Sequence, residues 1–314
     1  MALPDWEDIH LLSRNSNWHA ADIRTALATY VYPSGADWRK LAMYLLLGAG
    51  ACFLVSGLLF FFAYNWEALT GATKITIALA ALVTVTLTAL FAPLPRLAVL
   101  TLHTASVCLI GAVLAVLGQV YQTGANAFDF FCAWLVLTLP WLAAVRFAPL
   151  WLAGFALVNA AFVTYTQQYG IEFSFLVSGT LLFALNAVGW LLLWRWFRSR
   201  DSFRWLLQLA AFWAVILATV NISAGAFDDR PDQLLLSVLL ALLAYLGWGW
   251  LALRERSIYY LALVGGGSLI TLAFLLLRWF GSENSLLSAG FIILLGISGL
   301  VYYLNRLNHR WHAP

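Results

Sequence analysis

Ten long apolar runs divide this sequence, at roughly 41–64, 72–93, 97–120, 128–145, 148–166, 174–194, 205–224, 234–253, 258–277 and 285–304. Each approaches the about 17–25 residues that a helix needs to cross the hydrocarbon layer of a bilayer. A chain of 314 residues that is 63% hydrophobic could not cover its own surface in water. The expected fold class is therefore all-α, a polytopic helical membrane bundle of about ten transmembrane helices. The connections between runs are mostly under about ten residues, so neighbouring helices should be antiparallel and adjacent.

Lys and Arg sort sharply when alternate connections are assigned to opposite sides. One side collects Arg14, Arg24, Arg39, Lys40, Arg96, Arg146, Arg195, Arg198, Arg200, Arg204, Arg254, Arg256, Arg306 and Arg310, and the other only Lys74, Arg230 and Arg278. Basic connections stay cytoplasmic, which puts both termini inside. Seven acidic residues on each side leave a net +7 within and −4 without, masked by an overall +3. Basic loops of this kind suit an anionic leaflet, so membrane lipids are the expected partners and no nucleic acid is.

The polar start separates from the rest. Residues 1–38 read as a cytoplasmic helical appendage, with one helix begun by Pro4-Asp5 and a second carrying Ile23, Leu27 and Tyr30 along one face. Pro33-Ser34-Gly35 ends it ahead of the interfacial Trp38-Arg39-Lys40. No cleavable signal peptide is visible, and 41–64 should remain as the first span. Docking of a membrane-protein partner is a second use for this appendage; a homo-oligomer is also open.

Small residues fall where helix backbones could approach: Gly48, Gly50 and Gly57; Gly111, Ala115 and Gly118; Gly290, Gly296 and Gly299. Gly265-Gly266-Gly267 sits near the middle of a span. It fits either a broken helix lining a cavity, as in many carriers, or a tight packing point on a continuous helix.

The membrane interior holds little that could do chemistry. No Asp, Glu, Lys or Arg lies deep in a span, and His103 is the one titratable residue of note there. Asn159, Asn186, Gln208 and Asn221 suit hydrogen bonding between helices. Cys52, Cys108 and Cys132 read as small buried hydrophobes. No metal-ligand spacing, phosphate loop or nucleophile motif appears, so neither metal nor cofactor is expected.

The candidate site lies on the outer face. Asn65, Trp66 and Glu67 end the first span; Gln119, Tyr121 and Gln122 end the third, and Asp129 begins the fourth. Amides, acids and aromatic faces together suit a hydroxyl-rich head group. The same residues also fit an ordinary interfacial turn, capped by Asn65 and Thr123 with Gly124 supplying positive φ.

Tyr64-Asn65-Trp66, Lys74 and the run Gly111-Ala112-Val113-Leu114-Ala115-Val116-Leu117-Gly118-Gln119-Val120-Tyr121-Gln122-Thr123-Gly124-Ala125 resemble a family of bacterial predicted membrane proteins. That family is defined by domain of unknown function 2157, and the likeness covers about residues 5–150. Asn126 stands where an acid often follows the Gly-Ala, which weakens an acid-based role there. The resemblance implies a bacterial inner membrane and no reaction.

Three organisational regions follow: the appendage 1–38, the family-like membrane region 39–150 and the remaining helices 151–314. The expected function is transport-like or ligand-handling, for an envelope lipid, glycan precursor or polar solute at the outer face. A scaffold or assembly partner is one alternative. An enzyme acting on a lipid-linked substrate, with Glu67 or Asp129 as base, is the other.

Overall fold

The computed structural model describes residues 6–65, 67–124, 126–169, 173–280 and 285–312. Pro4, Asp5, Trp66 and Ala125, all used above, lie outside those residues, as does the side chain of Asn65. The described residues form α-helices joined by short turns, with no strand among them. Ten of the helical segments are long and apolar enough to cross a membrane.

Two short helices come first, α1 (Trp6–Asn15) and α2 (Ala20–Ala26), the latter prolonged by a π turn over Leu27–Val31. The Asp22 carboxylate accepts from the His19 backbone N–H at 2.9 Å, satisfying a free donor at the start of α2. Ile9 and Ala26 are buried. Ile23 and Leu27 are half-buried beside them, whereas Tyr30, expected on the same face, is 52% exposed because the π turn rotates it away.

The long helices follow: α3 (Gly35–Asn65), α4 (Gly71–Phe91), α5 (Arg96–Tyr121), α6 (Ala127–Ala144), α7 (Ala148–Gln168) and α8 (Phe175–Phe197). After a 3-10 turn at Asp201–Phe203 come α9 (Arg204–Gly225), α10 (Pro231–Glu255), α11 (Ile258–Phe280) and α12 (Ser285–His312). Every expected apolar run falls on one of these. The helices outlast the runs where interfacial residues still favour helix, most of all in α12, which continues through Arg306 and Arg310.

Local chemistry sets the ends. Thr70 caps α4 by accepting from the Thr73 N–H at 3.2 Å, and Ser174 caps α8 by accepting from Val177 at 3.2 Å. Pro231 opens α10, where a missing N–H costs nothing. Both α5 and α10 close the same way. Gln122 (φ +46°) and Arg256 (φ +51°) adopt the left-handed conformation. The next N–H then reaches back to the last turn, Thr123 to the Gly118 carbonyl at 3.2 Å and Ser257 to Ala252 at 2.9 Å. Glycine is the usual residue in such a cap, and a side chain there costs about 1 kcal/mol.

The chain forms two compact units, Met1–Ala112 and Val113–Pro314, whose boundary falls within α5. In the first, α4 and α5 pack through Val85, Ala105 and Leu109, with Val55 of α3 against them. Thr86 donates to Ser106 at 3.1 Å across that contact. In the second, α9 is the axle. It buries Leu206, Ala210, Ala214, Ala218 and Ile222 along its length, ringed by α7, α8, α10 and α11. Alanines on α9 let its neighbours come close. Aromatic rings then fill the wider gaps, Trp190 of α8 meeting Trp248 of α10 edge-on at 5.4 Å. At one end of this unit the Arg278 guanidinium donates to the main-chain carbonyls of Ala226 and Asp228 at 2.6 and 2.9 Å, pinning the α9–α10 connection.

Candidate functional site

The residues expected to form the outer site fall into two groups, one in each compact unit. In the first, α3 ends at Asn65, and Glu67 is exposed in the turn that follows. In the second, Gln119 and Tyr121 are exposed at the end of α5, Tyr121 by 67%, and Gln122 holds the left-handed cap position. The Asp129 carboxylate accepts from the Asn126 N–H at 3.4 Å, which makes it a helix cap for α6. Gly124 has φ +60°, as the turn reading anticipates.

Of the two readings of Gly265-Gly266-Gly267, the continuous helix is the one formed: α11 runs unbroken through all three. The reason is packing. A Cβ on Gly267 would meet Val215 at 2.7 Å, Tyr245 at 3.0 Å and Thr219 at 3.2 Å, and one on Gly265 would meet Leu300 at 2.7 Å. These glycines let α11 lie close to α9, α10 and α12, which is a reason for small residues that leaves the helix intact.

Of the intramembrane amides, Asn159, Asn186 and Asn221 bond between helices as expected. Asn186 donates to Asn159 Oδ1 at 2.7 Å, tying α8 to α7. His103 differs: its Nδ1 is buried with no hydrogen-bond partner among the described residues.

A second polar feature was not visible in the sequence as a cluster. Between α8, α9 and α10 runs a seam that starts where the Ser174 hydroxyl donates to Gln233 Oε1. One and a half turns further in, Thr180 and Ser237 share a hydrogen bond at 2.5 Å. Asn221 of α9 joins them, its Nδ2 donating to Thr180 at 3.0 Å, Leu176 at 3.3 Å and Ser237 at 3.4 Å. Asn221 is 3% exposed, and its Oδ1 has no hydrogen-bond partner among the described residues. Room for the amide comes from Gly179, where any Cβ would collide with Oδ1. A seam of hydroxyls and two amides can grip a neutral polar group or a water file. It has no acid–base pair to run a reaction, and no three His, Cys, Asp or Glu among the described residues lie close enough together to hold a metal.

These features define a class: a polytopic helical membrane protein whose fully buried polar residues, among those described, are Ser, Thr and Asn. Residues 6–151 match the family model described as "Predicted membrane protein (DUF2157)", which bears out the likeness read from the Gly118–Ala125 run. No curated protein and no solved structure was found to match the chain.

Proposed function

We propose that this chain is a non-catalytic, ligand-handling protein of the bacterial inner membrane. In this reading both termini are cytoplasmic, residues 1–38 form a cytoplasmic appendage, 39–150 are the family-like membrane region and 151–314 supply the remaining helices. It takes the polar part of an envelope lipid, glycan precursor or other polar solute at its outer face.

The observation that carries the reading is the seam. It begins beside the acidic connection Asp228, Asp229 and Asp232, descends between α8 and α10, and ends at an amide oxygen with nothing yet to accept from. A buried acceptor left unmatched costs about 1–3 kcal/mol, and a ligand that donates to it recovers that. The fourteen-to-three division of basic residues supports the orientation. Asn65, Trp66, Glu67, Gln119, Tyr121, Gln122 and Asp129 are the residues this reading assigns to the ligand's polar part.

Native mass spectrometry from gentle detergent tests the reading. The wild type should retain a polar envelope molecule that the Trp66→Ala/Glu67→Gln/Tyr121→Ala variant and the Asn221→Leu variant release. Equal retention in all three would end it. Labelling of Cys introduced at Arg200 from the periplasm would invert the orientation.

A second reading, a scaffold, draws on α1, which exposes Trp6, Leu11 and Leu12 by 47–57%. In that case removing residues 1–38 abolishes copurification of a membrane-protein partner; survival of the complex argues against it.

A further inference from the structure

At the opposite end of the second unit from the seam, α6, α7 and α8 enclose a cavity of about 750 Å³. Its floor is apolar, formed by Leu139, Leu142, Trp151 and Trp196. Its rim carries three arginines from two separate stretches of the chain, Arg146 after α6, and Arg195 in the last turn of α8 with Arg200 just beyond it. No carboxylate lines it. None of the three arginines forms an ion pair with a described residue.

The floor continues along the helices. A second cavity of about 320 Å³ shares Leu139, Leu142, Trp151 and Trp196 and extends between α6, α7 and α8 to Val158 and Asn159, almost wholly apolar. A groove results, cationic at the helix ends and greasy along the span. Its walls are held in place: Trp151 donates from Nε1 to the Val145 carbonyl at 3.1 Å, fixing the turn that presents Arg146. The same indole packs edge-on against Trp196 and Phe197 at 6.0 and 4.8 Å.

The neighbouring cavity at this end makes a useful control. It holds about 270 Å³ and sets Asp201 and Glu255 among Arg198, Arg204 and Arg256, so much of its charge is answered internally. Arg200 stands at the edge of both. Of the two, the α6–α7–α8 groove is the one that joins guanidinium charge, with no carboxylate in its lining, to an apolar channel.

We infer that this groove binds an anionic phospholipid, with its phosphate held by Arg146, Arg195 and Arg200 and one acyl chain laid over Leu139 and Leu142 towards Val158. Guanidinium forks match phosphate oxygens in pairs, and basic pockets between transmembrane helices select acidic head groups. The chain supplies selectivity for a lipid over a free anion. This site is independent of the seam and of any ligand at the other face.

The test titrates the full-length protein in mild detergent with phosphatidylglycerol or with phosphatidylcholine of the same acyl chains, reading bound lipid by native mass spectrometry. Wild type should prefer phosphatidylglycerol. Arg146→Gln/Arg195→Gln/Arg200→Gln should weaken that lipid on the order of 100-fold, from about a fivefold loss per arginine. Arg254→Gln/Arg306→Gln/Arg310→Gln, which removes equal charge from the same end outside the groove, should leave it unchanged. An equal loss in both variants makes the effect generic and overturns the site. Leu139→Trp fills the floor and keeps every charge, so it decides the matter if the triple variant fails to fold. Lipid loss in Leu139→Trp supports the groove, and retention overturns it. Millimolar inorganic phosphate should not displace the lipid; displacement by phosphate alone overturns a lipid as occupant.

Discussion

Of the helices that carry three glycines, α3 (Gly48, Gly50, Gly57) and α11 (Gly265, Gly266, Gly267) use them differently. In α11, Cβ atoms on Gly265 and Gly267 would strike side chains of neighbouring helices at 2.7 Å. In α3 none of the three has anything within 4 Å, and large residues such as Leu46 and Phe53 are more than 70% exposed. Small-residue patterns therefore mark permission for close approach, and only the structure shows where that permission is used. In lipid an exposed Leu costs nothing, so packing is set by fit and hydrogen bonds. The seam extends the lesson, because Gly179 makes the space that Asn221 fills. Gln122 is the reverse case, a position whose backbone favours glycine but whose side chain is an amide.

The largest expected effect comes from filling used space. Gly267→Leu should destabilise the protein by about 2–3 kcal/mol in detergent unfolding, since Val215 and Tyr245 belong to the packed core. A change below about 0.5 kcal/mol would put α11 on a par with α3. Next is the seam: Gly179→Ala should cost about 1–2 kcal/mol alone and far less in an Asn221→Ala background. Additive costs in that double-mutant cycle would separate the glycine from the amide. Smaller still, Gln122→Gly should gain about 0.5 kcal/mol by relieving the left-handed side chain. A gain in stability with loss of retained ligand would assign the amide to binding, whereas a gain with binding intact leaves Gln122 a plain cap. Last, Gly50→Leu should shift stability by less than about 0.5 kcal/mol, and a larger loss would show that α3 packs closely after all.

The spans were legible because a run of apolar residues of membrane length is a local signal that needs no partner. Thr70, Ser174 and Pro231 punctuate them in the same local way. The seam was not legible. Ser174, Thr180, Asn221 and Ser237 are isolated polar residues on three helices, and Thr180 meets Ser237 across 57 positions. Asn221 alone stood out, as a bonder between helices. The arginine groove was hidden for a related reason. Counting Arg146 with Arg195 and Arg200 as basic residues of one side gives a topology, but only helix packing brings two separate stretches of the chain to one rim. Around the outer site, Gly124 was readable as turn chemistry and has the positive φ that reading asked for, whereas Asp129, expected there as a ligand carboxylate, also caps α6.

Arg278 has a consequence for anyone mapping the surface with trypsin. Its guanidinium already grips two peptide oxygens of the α9–α10 connection, and Arg230 is followed by Pro231, a bond that trypsin leaves uncut. Two of the three basic residues on that side are thus poor cleavage points in the intact fold. On the proposed topology, digestion of sealed vesicles from there should yield almost no fragments, while the opposite side, with fourteen basic residues, is cut at many points.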